Sequence, residues 1–290
     1  MSKTIVFFGS GPVAAKSLEY LTRHFQVEFV ITKAVPAHHK GIAPVEKLAS
    51  RLALPILFAS SKRELDMIIT EHHFTSTLGI IIDYGVIVSQ KVIDTFESGI
   101  INSHFSLLPQ WRGADPITFS ILSGQPKTGV SLMVIDVGLD TGKLITQKSL
   151  TIDPTDTTPT LTNKLIDLSN SLLSDYLPGY LSGKVKPRNQ PHPDRATFSR
   201  KLTKADSALD FTKPANILER EIRAFSGWPK SRMTFGDNQL IIIKAHVEPT
   251  KKTPLHIACG DGAFLSIDEL IAPSGKKMTA AAFLRGYAAA

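Results

Sequence analysis

Apolar positions along the first 180 residues switch repeatedly between two spacings. "KTIVFFG", Lys3 to Gly9, is a short continuous apolar run closed by glycine, which predicts a buried strand. "GPVAAKSLEYLTRHF" follows with Ala14, Leu18 and Leu21 on one helical face. "QVEFVITKA" predicts a second strand, and "IAPVEKLASRLAL" a helix with Pro44 in its first turn. "LPILFAS" and "STLGIIIDYG" predict two more strands, with the helix "SKRELDMIITEHH" between them. Strand and helix in alternation imply an α/β fold, with a mostly parallel, Rossmann-like sheet covered on both faces. Ligands in such sheets sit outside the carboxyl ends of the strands.

"TGVSLMVIDVGLDTGKLITQKSLTI", Thr128 to Ile152, predicts two strands joined by the polar turn "DVGLDTG". "DTTPTLTNKLIDLSNSLLSDYLPGYLSG" predicts a long amphipathic helix buried along Leu161, Leu165, Leu168, Leu172 and Leu173. It closes a first domain at residues 1–183. Residues 184–205 carry prolines and positive charge with few apolar anchors, and predict a surface linker. In residues 206–290, "PANILEREIRAFSGWP" predicts a helix and a turn at Gly227. "RMTFGDNQLIIIKAHVEP", "PLHIACGDG" and "AFLSIDELIAP" predict short strands of a small barrel-like domain.

Charge divides the chain in the same place. Residues 1–183 hold 15 Lys/Arg against 16 Asp/Glu, whereas residues 184–290 hold 18 against 10. A neutral first part and a basic second part suggest different roles, the second toward a polyanion such as RNA, or merely toward solubility. The single cysteine, Cys259, excludes an internal disulfide and a multi-cysteine zinc site. Glycines interrupt the apolar run of "MSKTIVFFGSG", so it is read as neither signal peptide nor membrane span, and a cytoplasmic location is expected.

The candidate chemistry is polar and sparse. "GSGPVA" has Gly9 and Gly11 but Ala14 where a dinucleotide fingerprint needs a third glycine, and no acidic residue closes the second strand. The turn is read as a tight strand–helix connection or as a backbone approach to some other ligand. "INSHFSLLPQWRGADPI" places Asn102 and His104 two residues apart, on one face of an extended chain. Asp140 follows His104 by 36 residues, at a turn that the same sheet edge can bring alongside. No "GxSxG" elbow is present, and Asn, His and one remote Asp do not form a metal-ligand spacing. The three suit acyl transfer: an amide donor to a carbonyl oxygen, a proton relay, and an orienting carboxylate. Each also has a bland reading, as a turn Asn, a satisfied His and a capping Asp.

"NSHFSLLPQWRGADPI" together with "TGVSLMVIDVGLDTG" resembles the methionyl-tRNA formyltransferases, a folate-dependent formyltransferase family. "FFGSGPVAAKSL", "IIDYGVIV", "KLTKADSALDFTKPANILEREIRAFSGWPKS" and "CGDGAFLSIDELIAPSGKKMTAAAFLRGY" extend the resemblance, in order, over nearly the whole chain. It implies the formyltransferase fold with a C-terminal OB-like barrel. The implied reaction is formyl transfer from 10-formyltetrahydrofolate to the α-amino group of initiator methionyl-tRNA, without a metal. It carries over Asn102, His104 and Asp140 as the catalytic trio. The backbone of Tyr84, Gly85, Val86, Ile87 and Val88, with Val137, Gly138 and Leu139, is implied as the folate site. On the tRNA side the expected residues are Ser106, Leu107, Leu108, Pro109, Arg112 and Lys40. The basic residues Lys184, Lys186, Arg188, Lys201, Lys204, Arg220 and Arg223 extend that side. Trp111 either stacks on a base or packs beneath its loop, and a monomer is expected. The chain departs from the family in its short, weakly basic "TKAVPAHHKGIAPVEK" and at Ser10, Gly11 and Pro12. The rival readings are a formyltransferase acting on glycinamide ribonucleotide or an amino sugar nucleotide, and a tRNA-binding protein without activity.

Overall fold

The computed structural model describes residues 4–35, 41–251 and 254–287. They divide into two compact units. One comprises Met1–Pro116, Thr128–Leu150 and Thr162–Ser199, and the other Ile117–Lys127, Thr151–Leu161 and Arg200–Ala290.

The first unit opens with β1 (Thr4–Phe8), α1 (Pro12–Leu21), β2 (Gln26–Thr32), α2 (Pro44–Arg51), β3 (Ile56–Phe58), α3 (Lys62–Glu71), β4 (Gly79–Ile81), α4 (Gln90–Asp94) and β5 (Ile100–His104). Along the chain then come β6 (Arg112–Gly113), α5 (Pro116–Leu122), which belongs to the second unit from Ile117 on, β7 (Lys127–Val134), β8 (Leu144–Thr151), α6 (Thr158–Leu181), which enters the first unit at Thr162, and β9 (Phe198–Ser199). Local chemistry sets the helix starts. Pro12 and Pro44 stand in the first turns of α1 and α2. The Ser61 hydroxyl accepts the Glu64 amide at the start of α3.

Seven strands form one sheet in the order β3-β2-β1-β4-β5-β7-β8. β1 through β5 pair in parallel, as the alternating pattern predicts. β7 runs antiparallel to β5, so the sheet is mixed. The cause is local: the chain leaves β5 through a turn and a short helix on the way to β7, without a full crossover. Val6, Phe8, Ile31, Ile81 and Ile100 meet Leu65, Ile68 and Val92 in one buried core. On α6 the predicted leucines are buried, except that Leu168 is half-buried.

The second unit holds α7 (Ala215–Ala224), β10 (Ser231–Phe235), β11 (Asn238–Glu248), β12 (His256–Ala258), β13 (Phe264–Ile271), β14 (Lys277–Thr279) and α8 (Ala280–Tyr287). β11 pairs antiparallel with β10 and β13, and β13 also pairs with β12 and β14. Register shifts near Lys244 curl the long β11 against β13. The expected barrel does not close. Among the described residues β10 has no strand partner beyond β11, and β12 and β14 share the far side of β13, which leaves an open, curled sheet. Its concave packing is completed by helices: Leu218 and Ile222 of α7 and Phe283 of α8 join Leu240, Ile242, Leu265 and Leu270 in the core. Among the described residues, no helix is long and apolar enough to cross a membrane.

Candidate active site

β5 sorts its residues by face. Ser103 points to α6, where its hydroxyl meets that of Ser169 at 2.6 Å, both buried. Asn102 and His104 therefore share the opposite face. Asn102 is half-buried, and its amide makes no side-chain hydrogen bond among the described residues. The His104 ring is buried, with Nε2 2.9 Å from the Trp111 carbonyl. A carbonyl only accepts, so Nε2 carries the hydrogen. That leaves Nδ1 facing Asp140, whose Oδ2 lies 3.7 Å away. The structure thus brings His104 and Asp140 together, with Asn102 on the same strand face.

A clamp far along the chain fixes this geometry. Asp140 Oδ2 accepts the Gly113 amide at 2.7 Å. Residues Arg112 and Gly113 form β6, which pairs in parallel with Phe198 and Ser199 of β9. Gly113 has φ 111°, and a Cβ there would lie 2.3 Å from the Ser199 carbonyl oxygen. The Gln190 side chain ties the parts together. Its amide donates to the Asp140 carbonyl at 2.7 Å and the Gly142 carbonyl at 2.9 Å, while its oxygen accepts Arg112 Nη2 at 2.7 Å. Arg112 is buried, and its guanidinium is directed at Gln190.

The turn before Trp111 is equally fixed. The Ser131 hydroxyl donates to the Ser106 carbonyl at 2.6 Å and accepts the Leu108 amide at 3.1 Å. Gln147 donates to the Leu108 carbonyl at 2.9 Å. Ser106, Leu108 and Pro109 are buried and Leu107 is half-buried, so this segment supports the site from within.

The two loops expected to hold folate differ in character. Tyr84 is buried, its hydroxyl donating to the Ala59 carbonyl at 2.8 Å, and burial first, then the Glu64 charge, pushes the phenol up. Ile87, Val137 and Leu139 are instead 76%, 72% and 60% exposed. Val86 and Val88 are half-buried, and Gly85 and Gly138 are exposed. The Asp136 carboxylate orders the second loop by accepting the Gly138 amide and the Thr141 hydroxyl. Apolar side chains left open on two ordered loops suit a flat, partly apolar ligand. A shallow groove lined by Lys62, Arg63, Asp66, Met67, Thr70 and Lys91 shares no residue with these loops or with β5.

Of the expected basic residues, Lys184, Lys186, Arg188, Lys201 and Lys204 are exposed. Arg220 and Arg223 are half-buried on α7, where Arg223 forms a two-pronged pair with Glu219 and donates to the Asp156 carbonyl. Lys40 lies outside the described residues. Gln190 and Ser199 escaped the sequence pattern, since single buried residues in a proline-rich polar stretch give no periodic signal, and so did Gly113, whose role comes from a contact with Ser199 far along the chain. Asp83 escaped as well. Burial pushes its carboxyl up to about 6, Lys33 opposing and Asp115 adding to the rise.

Comparison with known proteins follows the same lines. Residues 2–177 match the family described as formyl transferase, and residues 201–288 match the formyl transferase C-terminal domain. Methionyl-tRNA formyltransferase of Myxococcus xanthus is 34% identical over 298 residues, covering 98% of this chain and 95% of that protein. The protein of the same name from Acidovorax ebreus is 32% identical, covering 98% and 96%. A crystal structure of an N-formyltransferase from Helicobacter canadensis, in complex with folinic acid and dTDP-3-aminofucose, superposes with a TM-score of 0.70. It is 21% identical and covers 92% of this chain and 99% of its own.

Proposed function

Because this chain belongs to the formyl transferase family, an enzyme family that moves a formyl group from a folate-derived donor to an amine, we propose that its amine is the α-amino group of methionyl initiator tRNA. The donor in this reading is 10-formyltetrahydrofolate. The observation that carries the substrate is full-length likeness to proteins named for that reaction, at 34% and 32% identity over 98% of the chain. The exposed lysines and arginine at 184, 186, 188, 201 and 204 support it, in a segment with 18 Lys/Arg against 10 Asp/Glu. Such a surface draws the phosphate backbone of RNA toward residues 184–290, leaving transfer to residues 1–183.

The reaction needs an electrophile held still and an oxygen whose negative charge is met as it forms. In this reading the Asn102 amide donates to the formyl oxygen, and such a donor stabilises the transition state by ~3 kcal/mol. His104, oriented by the Trp111 carbonyl and faced by Asp140, meets the charge of the tetrahedral intermediate and moves protons with Asp140. Pterin contacts fall to the backbone of 84–88 and the 137–140 loop, where Ile87, Val137 and Leu139 stand exposed. The amine is itself the nucleophile, so no covalent enzyme intermediate forms.

A competition assay tests the substrate. The enzyme is given 10-formyltetrahydrofolate with methionyl initiator tRNA, glycinamide ribonucleotide and an amino sugar nucleotide together. Formylation of the tRNA alone is expected, and formylation of only a small amine overturns the reading.

A further inference from the structure

In the strand order β3-β2-β1-β4-β5, β1 has β2 on one side and β4 on the other. The connections leaving β1 and β4 therefore diverge at their carboxyl ends, which is where open parallel sheets hold ligands. Short backbone contacts close the floor of this crevice. The Ser10 amide donates to the Asp83 carbonyl at 3.1 Å, and the Lys33 amide donates to the Ser10 hydroxyl at 3.1 Å. The Asp83 carboxylate rests against Gly11, where a built Cβ would lie 2.0 Å from Oδ2. Glycine at position 11 is what leaves the carboxylate its place.

Asp83 itself is held in the left-handed region, at φ 49°. Its side chain is exposed to solvent and makes no hydrogen bond or ion pair among the described residues, although protein surrounds it closely. The charged groups that face it are Lys33, from the segment after β2, and Asp115, from the segment before α5. Ile81 pairs with Asn102 across β4 and β5, so Asp83 lies two residues beyond Ile81 as His104 lies two beyond Asn102. Asp83 thus lies just past the carboxyl end of β4, the strand between β1 and the β5 that carries Asn102 and His104.

We propose that Asp83 receives the amine substrate in its ammonium form and takes one proton from it, beside the formyl group held at Asn102. The proposal rests on the reading of Asn102, His104 and Asp140 as the transfer site, but not on the identity of the amine. An α-ammonium group loses its proton at about pH 8 and cannot attack while protonated. A carboxyl pushed up to about 6 is a better acceptor for that proton than an ordinary aspartate. The proton passes from nitrogen to a carboxylate oxygen of Asp83, which frees the nitrogen lone pair. That pair forms the new bond to the formyl carbon. The bond from the formyl carbon to N10 of the folate breaks, its electrons stay on N10, and N10 gains the second proton released by the amine nitrogen. Asp83 then returns its proton to water.

Steady-state kinetics of the full chain, with amine acceptor and 10-formyltetrahydrofolate varied separately, test this. For Asp83→Asn, kcat/KM toward the amine is expected to fall at least tenfold at pH 7, with KM for the folate within twofold of wild type. The limb of the amine kcat/KM profile near pH 6 should vanish in Asp83→Asn and return in Asp83→Glu. Lys33→Met removes the charge that opposes the rise, so the limb should move to higher pH. An Asp83→Asn enzyme with wild-type amine kinetics and an unchanged limb overturns the proposal. So does a loss confined to folate KM, which would assign Asp83 to the pterin ring. Full activity of both Asn102→Ala and His104→Ala would instead remove the transfer site on which the proposal rests. Thermal melting of each variant separates these outcomes from misfolding, and Lys33→Met keeps the test open should Asp83→Asn fail to fold.

Discussion

The Asp140 carboxylate stands 3.7 Å from His104 Nδ1, with the same oxygen held by the Gly113 amide at 2.7 Å. One negative charge is thereby fixed opposite a ring whose other nitrogen is committed to the Trp111 carbonyl. Asp140 sits at φ 51°, a conformation that asparagine also tolerates. Asp140→Asn should therefore fold normally and still accept the Gly113 amide. Without the charge facing His104, its kcat should fall by roughly 10²–10⁴. Circular dichroism and single-turnover formyl transfer measure the two effects. A kcat within threefold of wild type would detach Asp140 from the chemistry.

Gln190 bonds to two loops and to a buried arginine. Replacing it with leucine keeps much of its bulk but strands the Arg112 guanidinium and two carbonyls. Leaving buried polar groups unsatisfied costs about 1–3 kcal/mol. Gln190→Leu should lower the urea midpoint accordingly and reduce kcat through a displaced Asp140. Unchanged stability would show that Gln190 is not the tie between these loops.

Gly113 is needed for two separate reasons. Its φ of 111° suits glycine, and a side chain would run into the Ser199 carbonyl oxygen at 2.3 Å. Gly113→Ala should destabilise the protein by about 1–3 kcal/mol. It should also separate the Gly113 amide from Asp140, so that activity falls even where the chain remains folded. Denaturant unfolding at constant pH gives the first quantity and initial rates give the second.

The pH dependence of stability reports on Asp83. Its carboxyl is raised from the ordinary 3.8 to about 6, so the native state binds this proton more tightly than the unfolded chain does. The stability this supplies is complete below about pH 4 and is lost as pH rises through about 6. Asp83→Asn has no charge to accommodate. Its melting temperature should exceed that of wild type above pH 6, and the gap should close as pH falls toward 4. Solvent contact at Asp83 keeps the gap modest. A gap that stays constant from pH 4 to 8 would contradict the raised carboxyl.

Much of this architecture was legible in the sequence because periodicity records burial. Leu161, Leu165, Leu172 and Leu173 face inward on α6 as their spacing predicts, and β1 to β5 form the parallel ladder. The antiparallel entry of β7 was not legible, since a buried strand reads the same in either direction. Barrel closure was not legible either. Short strands with turn signals fix the hairpins, whereas closure depends on whether β10 reaches a distant partner edge. At the site, Asn102 and His104 declare a shared face through their two-residue spacing. Gln190, Gly113 and Ser199 act through tertiary contacts that no local pattern encodes. Asp83 was hidden because its environment comes from Gly11, Lys33 and Asp115, which are remote in the chain.

The proposed reaction is formylation of methionyl initiator tRNA at the strand face of Asn102 and His104. The direct measurement is kcat/KM for labelled formyl transfer from 10-formyltetrahydrofolate to methionyl initiator tRNA, with wild type and His104→Ala side by side. Formylmethionine on the tRNA is expected with wild type, and a loss of roughly 10²–10⁴ in turnover with His104→Ala. Wild-type enzyme that leaves the charged tRNA unformylated, or a His104→Ala enzyme as fast as wild type, would contradict it.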